Sequence, residues 1–259
     1  MTRVTTEALK VLDQDPTRTA VLTDFDGTLS EIVDHPDDAI PAPGVVDLLA
    51  RMVRRFGRVG VVSGRPVAFL HDRLPVPGVT LVGQYGLERW IDGAVVVDAA
   101  ARPYAAAVAT VARDADAALP GVYVERKGEI AVTLHWRTRS DLGGAAERWA
   151  RARAAELGLA TYPTKMAIEL RPPVDVDKGR AVEGLAEGMA VACFAGDDHG
   201  DLSAFAALDR LVDRGLLTAA VKIAVASAEA PAELLTRADL VVDGPGAMVQ
   251  AFGELTGTD

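Results

Sequence analysis

The sequence predicts an α/β chain, a doubly wound parallel sheet interrupted by a smaller inserted α+β domain. Three observations carry this. Short apolar runs alternate with helical periodicity from Ala20 to Val82 and again beyond Asp177, the pattern of βαβ units. Between those halves the pattern changes to hairpins and Ala-rich helices. Polar clusters follow several of the apolar runs, at the end of an open parallel sheet where ligands bind.

In chain order, Ala20–Thr23 reads as a buried strand running into acids and glycine. Val45–Phe56 has helical periodicity between Pro43-Gly44 and Gly57. Gly60–Val62 is a second strand, Pro66–Leu74 a short helix and Val79–Val82 a third strand. Leu87–Val97 alternates like a hairpin with Asp92-Gly93 at its turn. Ala99–Leu119 is Ala-rich and helical, Val122–Arg137 strand-like, Ser140–Leu157 a helix ended by Gly158, and Met166–Leu170 a further strand. This α-β-β-α-β order describes a small α+β domain. After Asp177 come a helix over Gly179–Glu187, a strand over Ala190–Ala195 and a helix over Leu202–Val212. Short strands at Val221–Val225 and Leu240–Val242 and a helix over Ala247–Leu255 complete the pattern. The expected division is a core of 1–97 and 174–259 with an inserted cap of 98–173.

Of the 259 residues, 49% are hydrophobic, enough for packed cores. A formal net charge of -10 argues against nucleic acid and anionic membranes as partners. An anionic small molecule would need locally placed Lys, Arg or a metal. The single cysteine, Cys193, excludes an internal disulfide, and its apolar surroundings, Met189–Ala195, suggest a buried inert thiol. Met1–Lys10 has no signal-peptide apolar stretch, and no segment approaches the ~20 apolar residues of a membrane span. A monomeric cytoplasmic protein is the expectation.

Four clusters fall where strands meet helices: Asp24–Thr28, Ser63–Arg65, Lys178 and Gly196–Asp201. Asp24 and Asp26, two apart just past a strand, point the same way and repel unless a cation or a proton intervenes. Mg²⁺ takes hard oxygen ligands and bridges to phosphate, and a carboxylate can itself attack phosphorus. Alone, Asp26-Gly27 serves equally well as a turn. Asp197, Asp198 and Asp201 could cap the following helix, although one acid suffices for that. Ser63-Gly64-Arg65 offers a hydroxyl and free amides at a helix start, suited to phosphate or to simple capping. Lys178 at a helix N-terminus is electrostatically disfavoured, which suggests a partner such as phosphate or Asp24, although taken alone a solvated lysine is the simpler reading.

In the inserted segment, a loop at Lys127-Gly-Glu129 aligns Val122 and Val124 with Ile130, Val132 and Leu134 on one face. Tyr123, Glu125, His135 and Arg137 then share the other, as do Lys165, Glu169 and Arg171 of the next strand. Such a polar face either meets solvent or binds a hydroxyl-rich ligand.

The order of the four clusters resembles the four motifs of the haloacid-dehalogenase superfamily. The resemblance implies a fold of that type, with Asp24 as nucleophile and Asp26 as general acid/base. It implies Ser63 and Lys178 as phosphate-binding catalytic residues; Arg65, from the same cluster as Ser63, is the further substrate-binding candidate. It also implies Mg²⁺ held by Asp24, Asp26 through its carbonyl, Asp197 and, directly or through water, Asp201. Asp24-Phe-Asp-Gly-Thr-Leu29 with His35-Pro36, the pairs Glu125-x-Lys127 and His135-x-Arg137, and Lys165 through Pro172 narrow the resemblance to the trehalose-6-phosphate phosphatases. That resemblance implies a phosphoric monoester hydrolase acting on a small sugar phosphate, with Glu125, Arg137, Lys165 and Glu169 on the sugar. The chain departs from the family pattern at Gly200-Asp201-Leu202, often Thr-Asp-Glu, and at Tyr85-Gly86, often His-Gly. Rival readings are a phosphatase for another sugar or pseudo-disaccharide phosphate, a silent sugar-phosphate sensor, and a receiver-like phospho-acceptor.

Overall fold

The computed structural model of the protein describes residues 8–33, 35–164 and 166–256. The chain forms two compact units, Met1–Val95 with Val176–Asp259, and Val96–Asp175. Among the described residues no helix is long and apolar enough to cross a membrane.

The first unit is a three-layer α/β sandwich. Its parallel strands are β1 (Thr19–Thr23), β2 (Arg58–Val62), β3 (Val79–Gly83), β10 (Val191–Gly196), β11 (Ala219–Ala226) and β12 (Leu240–Asp243). The hairpin β4 (Glu88–Ile91) and β5 (Ala94–Val97) extends the sheet, β4 pairing antiparallel with β3. The strand order is β12-β11-β10-β1-β2-β3-β4-β5. Both faces are covered, which is why β1 and β10 are apolar without alternation. On one face Val21, Val61 and Ile223 pack under helices α1 (Val45–Arg55), α2 (Val67–Arg73) and α8 (Gly244–Thr256). On the other, Leu22, Val62 and Phe194 pack under α5 (Lys178–Ala186), α6 (Asp201–Asp213) and the short α7 (Ala232–Arg237). Helix α7 has no counterpart in the sequence pattern, since six residues are too few to show helical periodicity.

From β1 the chain crosses to β2 on one side, and later strands continue from β10 on the other. That reversal opens a crevice at the carboxyl ends of β1 and β10, where doubly wound sheets bind ligands. Asp24 follows β1 and Asp197 follows β10, so the topology delivers two acids from distant parts of the chain to one place.

The second unit is a four-stranded antiparallel sheet in the order β6-β7-β9-β8, with two helices. Its elements are α3 (Ala105–Ala118), β6 (Tyr123–Lys127), β7 (Ala131–His135), α4 (Gly143–Leu157), β8 (Ala160–Thr164) and β9 (Ala167–Arg171). Val124, Val132, Leu134, Ile168 and Leu170 pack on alanines and valines of α3 and α4. Helix α4 ends at Gly158, whose φ of 69° is the left-handed cap its lack of a Cβ permits.

Four expectations require correction. Strand β8 is missing from the sequence pattern because Pro163 interrupts it, and the sheet tolerates that proline because β8 is an edge strand. Helix α3 starts at Ala105 rather than Ala99, since Pro103 sits in a preceding 3-10 turn. The hairpin register differs by two residues: Lys127 pairs with Ala131, and Gly128-Glu129-Ile130 forms the loop with Gly128 at φ 61°. An even shift leaves the face of every side chain unchanged, so the apolar set was still assigned correctly. Finally, β7 ends at His135, and the chain turns just beyond it, where Arg139 donates its backbone N–H back to Trp136 O. Arg137 therefore lies in an exposed turn rather than in line with His135.

Candidate active site

Lys178 opens α5 and is buried at 2% side-chain exposure. Its Nζ lies 2.8 Å from Asp24 Oδ2, 2.7 Å from Asp201 Oδ1 and 3.6 Å from Asp198 Oδ1. These acids offset the poor placement of a cation at a helix N-terminus, while Asp177 caps the helix by accepting Arg180 N–H at 2.9 Å. The second oxygen of Asp24, Oδ1, is buried and has no hydrogen-bond partner among the described residues.

The loop after β10 wraps around Asp201. Its Oδ2 accepts the backbone N–H groups of Asp197 at 2.8 Å and Asp198 at 2.9 Å. Asp198 Oδ1 accepts the N–H of Asp201, the first residue of α6, at 3.2 Å, while the N-cap position itself is Gly200. Thr28 Oγ1 donates to Asp197 Oδ1 at 3.3 Å. The packing leaves no room for side chains at two glycines. A Cβ at Gly196 would lie 2.2 Å from Asp201 Cγ, and one at Gly27 would lie 2.0 Å from Asp197 Oδ2.

The charges are unbalanced, with Asp24, Asp197, Asp198 and Asp201 gathered around one ammonium. Burial raises the Asp24 carboxyl well above its usual range; Lys178 opposes this, while Asp201, Asp198 and Asp26 add to it. Asp197 is pushed up to about 7, first by burial and then by Asp201 and Asp198. Asp201 is pushed up to about 6, chiefly by burial, with Asp198 adding and Lys178 opposing. Burial alone would lower Lys178, but Asp201, Asp24 and Asp198 outweigh it and hold the ammonium above its ordinary range. Asp24, Asp197 and Asp201 each offer an oxygen within 4.8 Å of the others. Hard oxygen donors, surplus negative charge and the unpartnered Asp24 Oδ1 fit a metal site.

Asp26 is held differently. Arg65 grips it with both arms of the guanidinium, Nε to Oδ2 at 2.8 Å and Nη2 to Oδ1 at 2.7 Å. Arg65 also donates Nη1 to Pro36 O at 2.7 Å and lies over the Phe69 ring at 4.7 Å. Ser63 is buried, and its Oγ accepts Arg65 N–H at 3.2 Å. Beside this loop, Gln84 and Tyr85 have φ of 50° and 59°, a left-handed backbone costing non-glycine residues roughly 1–2 kcal/mol each.

The structure therefore joins Lys178 to Asp24 and Asp201, gathers Asp197 beside those two acids, and joins Asp26 to Arg65. Sequence reasoning placed Thr28 in the first polar cluster but gave its hydroxyl no role, and it noted Tyr85 only as a departure at Tyr85-Gly86. Cys193 is fully buried, and burial pushes its thiol up to about 12.

In the second unit, Glu169 on β9 accepts Lys127 Nζ at 2.8 Å and Thr133 Oγ1 at 3.4 Å, with Arg171 Nη1 3.7 Å away. Arg171 stacks 3.8 Å over the Tyr162 ring. Glu125 Oε2 lies 2.7 Å from His135 Nε2. Lys127 was missed as a member of this face because the expected register placed it in the loop. Arg137 stands apart in its exposed turn, and Lys165 lies outside the described residues.

Comparison with known proteins returns a consistent family. A family model described as Trehalose-phosphatase matches residues 22–239. A trehalose-phosphate phosphatase from Mycobacterium marinum (strain ATCC BAA-535 / M) is 36% identical over 203 residues, 74% of this chain and 52% of that protein. The chain thus spans about half the length of the curated relatives it matches. A crystal structure of a trehalose-6-phosphate phosphatase related protein superposes with TM-score 0.76 at 25% identity, covering 92% of this chain and 96% of that one. A haloacid dehalogenase-like hydrolase from Bacteroides thetaiotaomicron superposes with TM-score 0.62 at 15% identity, covering 92% and 99%, which shows the shared fold.

Proposed function

Since the chain belongs to the trehalose-phosphatase family, we propose that it hydrolyses trehalose 6-phosphate to trehalose and phosphate through an aspartyl-phosphate on Asp24. The observation that carries this is the state of Asp24: a buried carboxylate with one oxygen on Lys178 and the other without a hydrogen-bond partner among the described residues. A carboxylate held by one oxygen keeps the other for attack.

Asp24 forms a bond to phosphorus as the sugar oxygen leaves, and Asp26 gives that oxygen a proton. Asp26 then takes a proton from the water that attacks the aspartyl-phosphate, which releases phosphate and restores Asp24. Lys178 stabilises the phosphoryl oxygens as charge redistributes, and Ser63 binds them. Mg²⁺ is the proposed cation, held by Asp24, the Asp26 carbonyl, Asp197 and Asp201. When bound it neutralises phosphoryl charge. Glu125, Arg137, Lys165 and Glu169 are proposed to recognise the sugar, with Arg65 serving the phosphate side. We further propose that the protein is a cytoplasmic monomer with no nucleic-acid or membrane partner.

Phosphate release measured on trehalose 6-phosphate, sucrose 6-phosphate and p-nitrophenyl phosphate, with Mg²⁺ and with EDTA, tests this. Trehalose 6-phosphate should be preferred and EDTA should abolish release. Equal rates on both disaccharide phosphates would remove the substrate assignment, and full activity in EDTA would remove the metal.

A further inference from the structure

We propose that Tyr85 is a positioning residue that clamps the Ser63-Gly64-Arg65 loop and, through Arg65, sets the place of Asp26. The proposal deepens the phosphatase reading and rests on it for its kinetic readout only.

Three sets of contacts carry it. First, the left-handed turn at Gln84 and Tyr85 aims two backbone donors at the loop. Gln84 N–H donates to Arg65 O at 2.9 Å and Tyr85 N–H to Ser63 O at 3.0 Å. Second, the Tyr85 ring occupies the space over Gly64, where a Cβ would lie 2.6 Å from Tyr85 Oη and 2.7 Å from Cζ. Gly64 is not among the positive-φ glycines, so the ring rather than the backbone accounts for its missing side chain. Third, the flanks are tied to the same loop. A Cβ at Gly83 would lie 2.5 Å from Val67 N, and Glu88 Oε2 accepts Val67 N–H at 2.8 Å.

A glycine or asparagine would adopt the backbone of residue 85 with less strain. Tyrosine persists in it because its surroundings hold it there, and strain held in this way collects at functional sites. Arg65 transmits the constraint, since its backbone oxygen takes one clamp bond while its guanidinium grips both oxygens of Asp26.

The test is a double-mutant cycle between Tyr85→Asn, which tolerates the backbone but lacks the ring, and Gly64→Ala, whose methyl competes with the ring for one space. Each single variant should lose at least roughly tenfold in kcat on trehalose 6-phosphate and p-nitrophenyl phosphate alike, and the double variant should lose no more than Tyr85→Asn alone. Tyr85→Phe, which keeps the ring, should recover most of the loss. Amide hydrogen exchange at residues 63–67 should be at least about tenfold faster in Tyr85→Asn. Wild-type-like kcat with unchanged exchange, or strictly additive losses, would overturn the clamp. Should Tyr85→Asn fail to fold, Gly64→Ala carries the test through the same two readouts. Should the wild type hydrolyse no phosphate ester, the phosphatase reading fails, and exchange at 63–67 alone decides the clamp.

Discussion

Asp24 contributes charge at a place where burial makes charge costly, and this separates its effect on activity from its effect on stability. Asp24→Asn keeps the shape and removes the nucleophile, so kcat should fall by roughly a thousandfold or more. The melting temperature should hold or rise, because the variant buries no carboxylate. A variant retaining a tenth of wild-type phosphate release would rule Asp24 out as the nucleophile. The neighbouring acids make a second prediction. Asp197 and Asp201 are raised to about 7 and about 6 in the folded protein, so between the ordinary carboxylate range and those values the folded state binds protons that the unfolded state has released. Stability of the metal-free protein therefore falls as pH rises through that window. A divalent cation favours the deprotonated acids and should offset the fall. Melting curves at pH 5 and pH 8, in EDTA and in Mg²⁺, check this, and a metal-free protein more stable at pH 8 would contradict it.

The strands of the second unit show how far local pattern reaches. Alternation with a period of two identified the apolar face of β6, β7 and β9, and a register error of two residues could not disturb it. The same error hid Lys127, whose ion pair with Glu169 depends on which residues stand opposite one another across β6, β7 and β9. That pair changes the expected behaviour of Glu169. Its side chain is 5% exposed and that of Lys127 16%, so Glu169→Ala would strand a largely buried cation. Breaking a fully buried pair costs about 3–5 kcal/mol, and Glu169→Ala should lower stability by some part of that. Glu169→Gln keeps the shape and one acceptor, and should fold better than the alanine variant. Both should lose at least roughly tenfold in kcat/KM on trehalose 6-phosphate, the worth of one charge-assisted hydrogen bond, while p-nitrophenyl phosphate hydrolysis stays within about twofold. Equal losses on the two substrates would assign Glu169 to structure or chemistry instead of sugar recognition.

The proposal for the molecule as a whole is a division of labour between its two units, and substrate panels read it out. Lys178→Ala should depress every phosphate ester alike, since its Nζ contacts Asp24 and Asp201, whereas Glu125→Gln should depress the disaccharide phosphate selectively. Identical specificity profiles for the two variants would dissolve the proposed division. Short apolar runs, the 3.6-residue periodicity of helices and the placement of acids after strands are properties of neighbouring residues. The α/β class, the inserted unit and the polar clusters that hold Asp24, Asp26, Ser63, Lys178 and Asp197 could be read from them without coordinates, while the roles proposed for those residues came from the resemblance to a family. Other features required the assembled sheet. Thr28 reaches Asp197 across 169 residues and Lys127 reaches Glu169 across 42, because strand order and register bring them together. Those depend on long-range pairing and on the packing of both sheet faces, which no local window contains. The grip of Arg65 on Asp26 and the ring of Tyr85 over Gly64 belong with them, as contacts between loops that only the assembled sheet places side by side.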